Sequence, residues 1–263
     1  MTIAGFGRRD LIMLKNLFFM SLADRFLGSK LGIVWAVISP LILMSVFVFV
    51  FSFVFPGRLP GRDGSLPFVI WLISGYGPWL ALSEGLNTAA SSVVASSGIV
   101  KNIAFKSELL PVVGGLFGLV PLSVAIAILI PLRILEGGSP GAALLFLPIA
   151  ALILLLFISG AGLFLSSINV FVRDVSLALP NILLLFLFTS PIFYPITAYP
   201  EAIQAVLRFN PFYVLAECFR APIIHGTLPP LWMIAYIVAL SSALCLAGLW
   251  WFRRLKAFFD VRL

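Results

Sequence analysis

The sequence predicts an all-α integral membrane fold with six transmembrane helices. Three observations carry that prediction. Hydrophobic residues make up 62% of the chain and charged residues only 10%, against about 45–50% and about 25% in a soluble globular domain. Apolar runs long enough to cross a bilayer recur along the chain. These runs are continuous rather than alternating, so helices, and not a β-barrel, satisfy the backbone in lipid.

The elements follow in order. In residues 8–28, Leu11, Phe18, Leu22 and Phe26 share one helical face, with Ile12 and Phe19 beside them. Asp10, Ser21, Asp24 and Gly28 lie opposite. The pattern predicts an amphipathic helix in the headgroup region; a helix packed under the bundle satisfies it equally. Arg8, Arg9, Asp10, Lys15, Asp24 and Arg25 interrupt this stretch, so a signal peptide is not expected. Spans are expected at 31–55, 68–92, 109–135, 142–168, 176–193 and 231–252, the fifth being short and bounded by Pro180 and Pro191. A short polar helix, 96–107, is expected between the second and third spans. The segment 194–230 is apolar but broken by Pro195, Pro200, Pro211 and Pro222. It is expected to form two short external helices that re-enter the membrane. Its Glu201, Arg208, Glu217 and Arg220 are costly in lipid, so they should face a pore, a partner subunit or one another.

Six spans put both termini on one side. Twelve of the seventeen Lys and Arg residues fall on that side, which is therefore expected to be cytoplasmic. The net charge of +7 is accounted for by cytoplasmic loops near anionic headgroups rather than by nucleic acid. The chemistry for catalysis is sparse. The single histidine, His225, lies in a Pro- and Gly-flanked loop, and no H-E-x-x-H, G-x-S-x-G or Cys–His cluster is present. No G-x-x-x-x-G-K-[ST] segment is present to cradle nucleotide phosphates. Neither a catalytic site nor a metal site is expected. Glu84, within the second span, is the clear intramembrane carboxylate; Ser83, Asn87, Thr88 and Ser91 around it equally suit a hydrogen-bonded strut.

The segment "IVKNIAFKSELLP", 99–111, is a polar island in this apolar chain. On a helix, Ile99, Val100, Ile103 and Ala104 cluster on one face, and Lys101, Asn102, Lys106 and Glu108 on the other, with Phe105 among the charges. An aromatic residue ringed by charge suits a partner's pocket; lysines that meet lipid phosphates suit the same pattern.

Several stretches are familiar. "DRFLGSKLGIVWAVISPLILMSVFVFVFSFVF" carries a basic residue, an aromatic, a Gly-Ser turn, Leu-Gly, Trp and Pro-Leu, here Arg25, Phe26, Gly28, Ser29, Leu31, Gly32, Trp35, Pro40 and Leu41. "LISGYGPW", the island, "INVFVRDV", "SPIFYP" and "NPFYVLAECFRAPIIHG" follow in order. Together they cover nearly the whole chain, which resembles the permease subunits of ABC-type polysaccharide exporters. These are the O-antigen and teichoic-acid exporters, with capsule exporters as relatives. One departure is in the island: the family often has Phe-Pro-Arg-Glu where this chain has Phe105, Lys106, Ser107 and Glu108.

The resemblance implies a multi-pass protein of a bacterial inner membrane, paired with a second copy of itself and with two copies of a cytoplasmic ABC ATPase. ATP and Mg would belong to the ATPase; no cofactor is expected in this chain. The cargo would be a polysaccharide linked to undecaprenyl pyrophosphate, moved through a channel between the two copies. The island would be the coupling helix, with Ile99, Lys101, Asn102, Phe105, Lys106, Glu108, Arg173 and Asp174 at the ATPase. Arg25 and Lys30 would recruit the lipid head, and Trp35, Tyr76, Trp79 and Glu84 would line the sugar path. Tyr194, Glu201, Arg208, Asn210, Glu217 and Arg220 would form an external gate. Two alternatives stand beside this expectation: a permease of the same fold for capsule, wall polymer, drug or lipid, and a lone membrane enzyme acting on polyprenyl lipids.

Overall fold

In the computed structural model, residues 7–54, 65–98, 106–138 and 141–262 are described. The described residues form helices and turns, as continuous apolar runs require where backbone groups must be satisfied within their own segment. Helix α1 (Arg8–Arg25) begins where the Gly7 N–H donates to the Asp10 carboxylate at 2.8 Å. It ends in a turn with Gly28 at φ +80° and Gly32 at φ +53°, left-handed positions that suit glycine. None of its residues is fully buried. Its half-buried face is Leu14, Leu17, Phe18 and Leu22, while Leu11, Ile12 and Phe19 are exposed. Phe18, Leu22 and Phe26 of the expected face are half-buried, while Leu11 is exposed. Leu14 and Leu17 lie on the packed side, and Phe18 meets Phe117 at 5.3 Å between ring centroids.

Among the described residues, five helical stretches are long and apolar enough to cross a membrane. The first, Gly32–Val54, is a 3-10 turn, α2 (Trp35–Phe49) and a π turn. The second is α3 (Ser65–Ala95). The third, Leu109–Leu135, is α4 (Leu109–Leu116) and α5 (Leu119–Leu135), joined at Phe117 and Gly118. The fourth, Ala142–Phe171, is a 3-10 turn and α6 (Leu147–Phe171). The sixth expected span is observed as the fifth such stretch, α10 (Leu231–Lys256), followed by a short α11 (Phe259–Arg262). The expected span 176–193 is instead α7 (Asp174–Thr189), sixteen residues. At about 1.5 Å per residue it is about 24 Å long, short of a hydrocarbon core of about 30 Å. It stops at Ser190, the residue before Pro191, which disfavours helical backbone there.

Helix α3 is the central element. In its apolar stretch 72% of residues are buried, against 11% for Gly32–Val54 and 22% for α10. It packs against α6, α4 and α5, while α10 lies along α6. The α6–α10 contact is a backbone crossing. A Cβ on Gly160 would stand 2.6 Å from the Cys245 nitrogen, and one on Gly248 would stand 2.5 Å from the Gly160 carbonyl oxygen. Small residues let helices approach this closely in lipid, where association relies on packing contacts.

Between α7 and α10 lie α8 (Glu201–Leu207) and α9 (Pro211–Arg220). Asn210 caps α9, accepting from the Phe212 N–H at 2.9 Å and donating to Ser190 Oγ at 3.0 Å. Helix α9 inserts into the bundle, burying Val214, Leu215, Ala216, Cys218, Phe219 and Arg220. Helix α8 has no fully buried residue. A second small core of Val93, Leu110, Leu163, Val170, Phe252 and Phe259 closes the opposite end of the bundle.

Candidate functional site

A cavity of about 510 Å³ lies where α1, α2, α3 and α5 meet. That volume is in the range of roughly 300–1,000 Å³ typical of small-molecule sites. Its walls are largely apolar, formed by residues such as Leu22, Phe26, Leu43, Leu80 and Val120. Ser29, Ser39 and Ser83 add hydroxyls. The fold brings three of the expected residues together here: Arg25, Trp35 and Glu84. Arg25 ends α1, where a cation also complements the helix dipole. It forms an ion pair with Glu84 and stands 5.5 Å from the Phe117 ring centroid. Glu84 also accepts from the Thr88 hydroxyl at 3.3 Å. Trp35 is 38% exposed. Lys30 is exposed, beyond the residues that line the cavity.

Tyr76 and Trp79 stand elsewhere. Both are buried: Tyr76 packs against Phe47 and Phe193, and Trp79 against Phe212. They are core aromatics and line no part of this cavity.

Of the island, Ile99, Lys101, Asn102 and Phe105 lie outside the described residues. The described part turns inward. Lys106 donates to Asp10 Oδ2 at 2.6 Å, tying the island to α1. The Lys106 ammonium, with the Gly7 N–H, holds the Asp10 carboxyl below its ordinary value. A depressed carboxylate pKa stabilises above the unfolded value and is lost as pH falls through the folded one, so the tie is intact at neutral pH. Glu108 is 6% exposed and accepts from Arg253 Nε at 3.4 Å and Lys256 Nζ at 3.2 Å. Lys106 and Glu108, expected at the ATPase, therefore clamp the island to α1 and α10. No pairing signal for this is visible in the sequence, since Arg253 and Lys256 read only as positive charge at a helix end.

Glu108→Gln is expected to lower stability by about 1–2 kcal/mol. The buried oxygens would lose their charge, while the two cations keep partial access to water. Thermal unfolding of the purified protein in detergent checks this. Lys256→Gln should cost less, because Arg253 remains.

Arg173 and Asp174 are exposed at the turn between α6 and α7. Buried Asn169 holds that turn, donating to the Ala90 carbonyl at 3.1 Å and accepting from the Ser176 N–H at 3.1 Å.

The expected external gate divides. Tyr194, Glu201 and Arg208 are exposed. Asn210 is the α9 cap, and Arg220 is 2% exposed, inside the bundle. Arg220 donates to Glu217 Oε1 at 3.0 Å, to the Pro191 carbonyl at 3.1 Å and to the Ile192 carbonyl. Its guanidinium lies 4.1 Å from the Trp71 ring centroid. Gly75 leaves the space it fills, since a Cβ there would stand 2.1 Å from Arg220 Nη2. The Glu217–Arg220 pair is the expected facing of one charge by another.

The described residues thus form a helical bundle with five stretches apolar enough to cross a membrane, α1 packed at one end and α9 inserted at the other. The chain belongs to the ABC-2 type transporter family, whose model matches residues 14–224. It is 26% identical over 229 residues to the O-antigen export system permease protein RfbA of Myxococcus xanthus, covering 86% of each chain. It is 24% identical to each of two proteins of that name from Klebsiella pneumoniae. These alignments cover 78% and 88% of this chain and 77% and 87% of theirs.

Proposed function

We propose that this chain is the permease subunit of an ATP-driven exporter of polysaccharide linked to undecaprenyl pyrophosphate, most nearly of the O-antigen type. Two copies would form the channel between them, and two copies of a separate ABC ATPase would supply ATP and Mg. Both termini would face the cytoplasm of an inner membrane. In this arrangement α7 completes a sixth crossing by local thinning of the bilayer or by pairing with neighbouring helices, and α8 and α9 form the external re-entrant region.

The observation that carries this reading is the cavity beside the end of α1. There a cation, a carboxylate and a tryptophan surround apolar walls, a set suited to a lipid with an anionic head. The relatives' names, O-antigen export permeases, support the polysaccharide-export part of the reading. The exposed Leu11, Ile12 and Phe19 give α1 an apolar side for the headgroup region. Arg25 and Lys30 then meet the pyrophosphate, while the segment 99–105, framed by the Lys106 and Glu108 clamps, meets the ATPase.

Deleting the chain in its native host is expected to abolish surface polysaccharide and to accumulate the lipid-linked polymer on the inner leaflet. The wild-type chain restores export, and Arg25→Gln with Lys30→Gln does not. Export unchanged in that double variant would end the head-recruitment role.

A further inference from the structure

Glu84 sits in a helix whose neighbours Ala81, Leu82 and Leu86 are buried, yet its pair with Arg25 is partly open to solvent, at 33% and 44% side-chain exposure. The pair therefore stands at the rim of the cavity rather than in the core. A carboxylate offers the guanidinium two oxygens and one charge. A phosphate monoester offers three oxygens and nearly two charges, which favours it for the same fork of donors. A phosphate head could thus take Arg25, leaving Glu84 with its second partner, the Thr88 hydroxyl.

Resting on the reading that Arg25 meets an anionic lipid head, we infer that the Arg25–Glu84 pair is a selective latch on this cavity. Glu84 competes within the protein for Arg25, and the phosphate head of a long-chain amphiphile displaces it. Leu22, Phe26, Leu43, Leu80 and Val120 then receive the chain. Neutral and zwitterionic lipids, which bathe the protein in excess, lack the charge to open the pair. Specificity comes from an internal competitor that the wrong ligand cannot displace.

The test is equilibrium binding of radiolabelled geranylgeranyl monophosphate to the full chain in phosphatidylcholine nanodiscs. Neutral geranylgeraniol and inorganic phosphate serve as competitors. The wild-type chain prefers the phosphate to the alcohol, and inorganic phosphate does not compete. Glu84→Gln, which leaves the cavity unlatched, binds the phosphate about fivefold tighter and gains affinity for the alcohol as well. Glu84→Asp, which keeps the charge on a shorter arm, falls between; it carries the test if Glu84→Gln does not fold. Arg25→Gln loses the preference for phosphate over alcohol. If removing or shortening Glu84 gives no tighter binding while Arg25→Gln still loses the preference, the latch is refuted and head recruitment stands. If Arg25→Gln keeps the preference, both fall. Competition by inorganic phosphate at equal concentration would overturn the amphiphile as ligand.

Discussion

Gly160→Leu is expected to force α6 and α10 apart and to remove most of the protein's stability. The contact it disturbs is backbone against backbone: the Cys245 nitrogen and the Leu244 carbonyl carbon lie 2.6 and 2.7 Å from where the first side-chain atom would stand. A flexible side chain could swing away, but a helix backbone moves only as a whole. Overpacking commonly costs about 1–3 kcal/mol, and here the cost should be about 3 kcal/mol or more. The same displacement removes Gly248 from its seat on the Gly160 carbonyl. The measurement is the thermal midpoint and monodispersity of the purified protein. Leu152→Ala, on the same helix but 66% exposed, should change stability by less than about 0.5 kcal/mol. Equal tolerance of both changes would contradict the crossing.

Arg220→Met is expected to cost about 3–5 kcal/mol, as breaking a buried, hydrogen-bonded charge pair does. The substitution leaves Glu217 without its cation and takes from the Pro191 and Ile192 carbonyls, at a helix break, the guanidinium that donates to them. Arg220→Lys keeps the charge but loses the planar fork and its face on Trp71, so it should fall between. Gly75→Leu should mimic the loss, because its side chain would enter the volume the guanidinium occupies. Unfolding in detergent, followed by tryptophan emission, reads all three. A stable, export-competent Arg220→Met protein would show that the inserted α9 is held by apolar packing alone.

Much of this architecture was legible because lipid imposes simple rules. Continuous apolar runs specify helices, and their lengths specify crossings, so the five long stretches fall within four residues of expectation. The Pro-broken segment 194–230 was legible as two short helices for the same reason. Three features were less so. The packed side of α1 was only partly legible: Phe18 and Leu22 pack as expected, but that Leu14 and Leu17 join them shows only once Phe117 is in place. Charged residues 59 to 148 positions apart, such as Arg25 with Glu84 and Glu108 with Lys256, carry no sequence mark of their pairing. Tyr76 and Trp79 matched an aromatic sugar path in type, but aromatic residues in a membrane bundle are more often packing material, and both are core.

On the proposed function, this chain is driven from outside itself, by an ATPase seated on segment 99–105. The most direct measurement is purification of the tagged chain from its native host in mild detergent, with identification of co-purifying chains and an ATP hydrolysis assay. A cytoplasmic ATPase is expected at about equal molar amount, with hydrolysis in the sample. Both should be lost in the Lys101→Glu, Phe105→Asp variant while the membrane chain itself still folds. A chain that purifies alone, or a variant that retains its ATPase and its hydrolysis, would contradict the account.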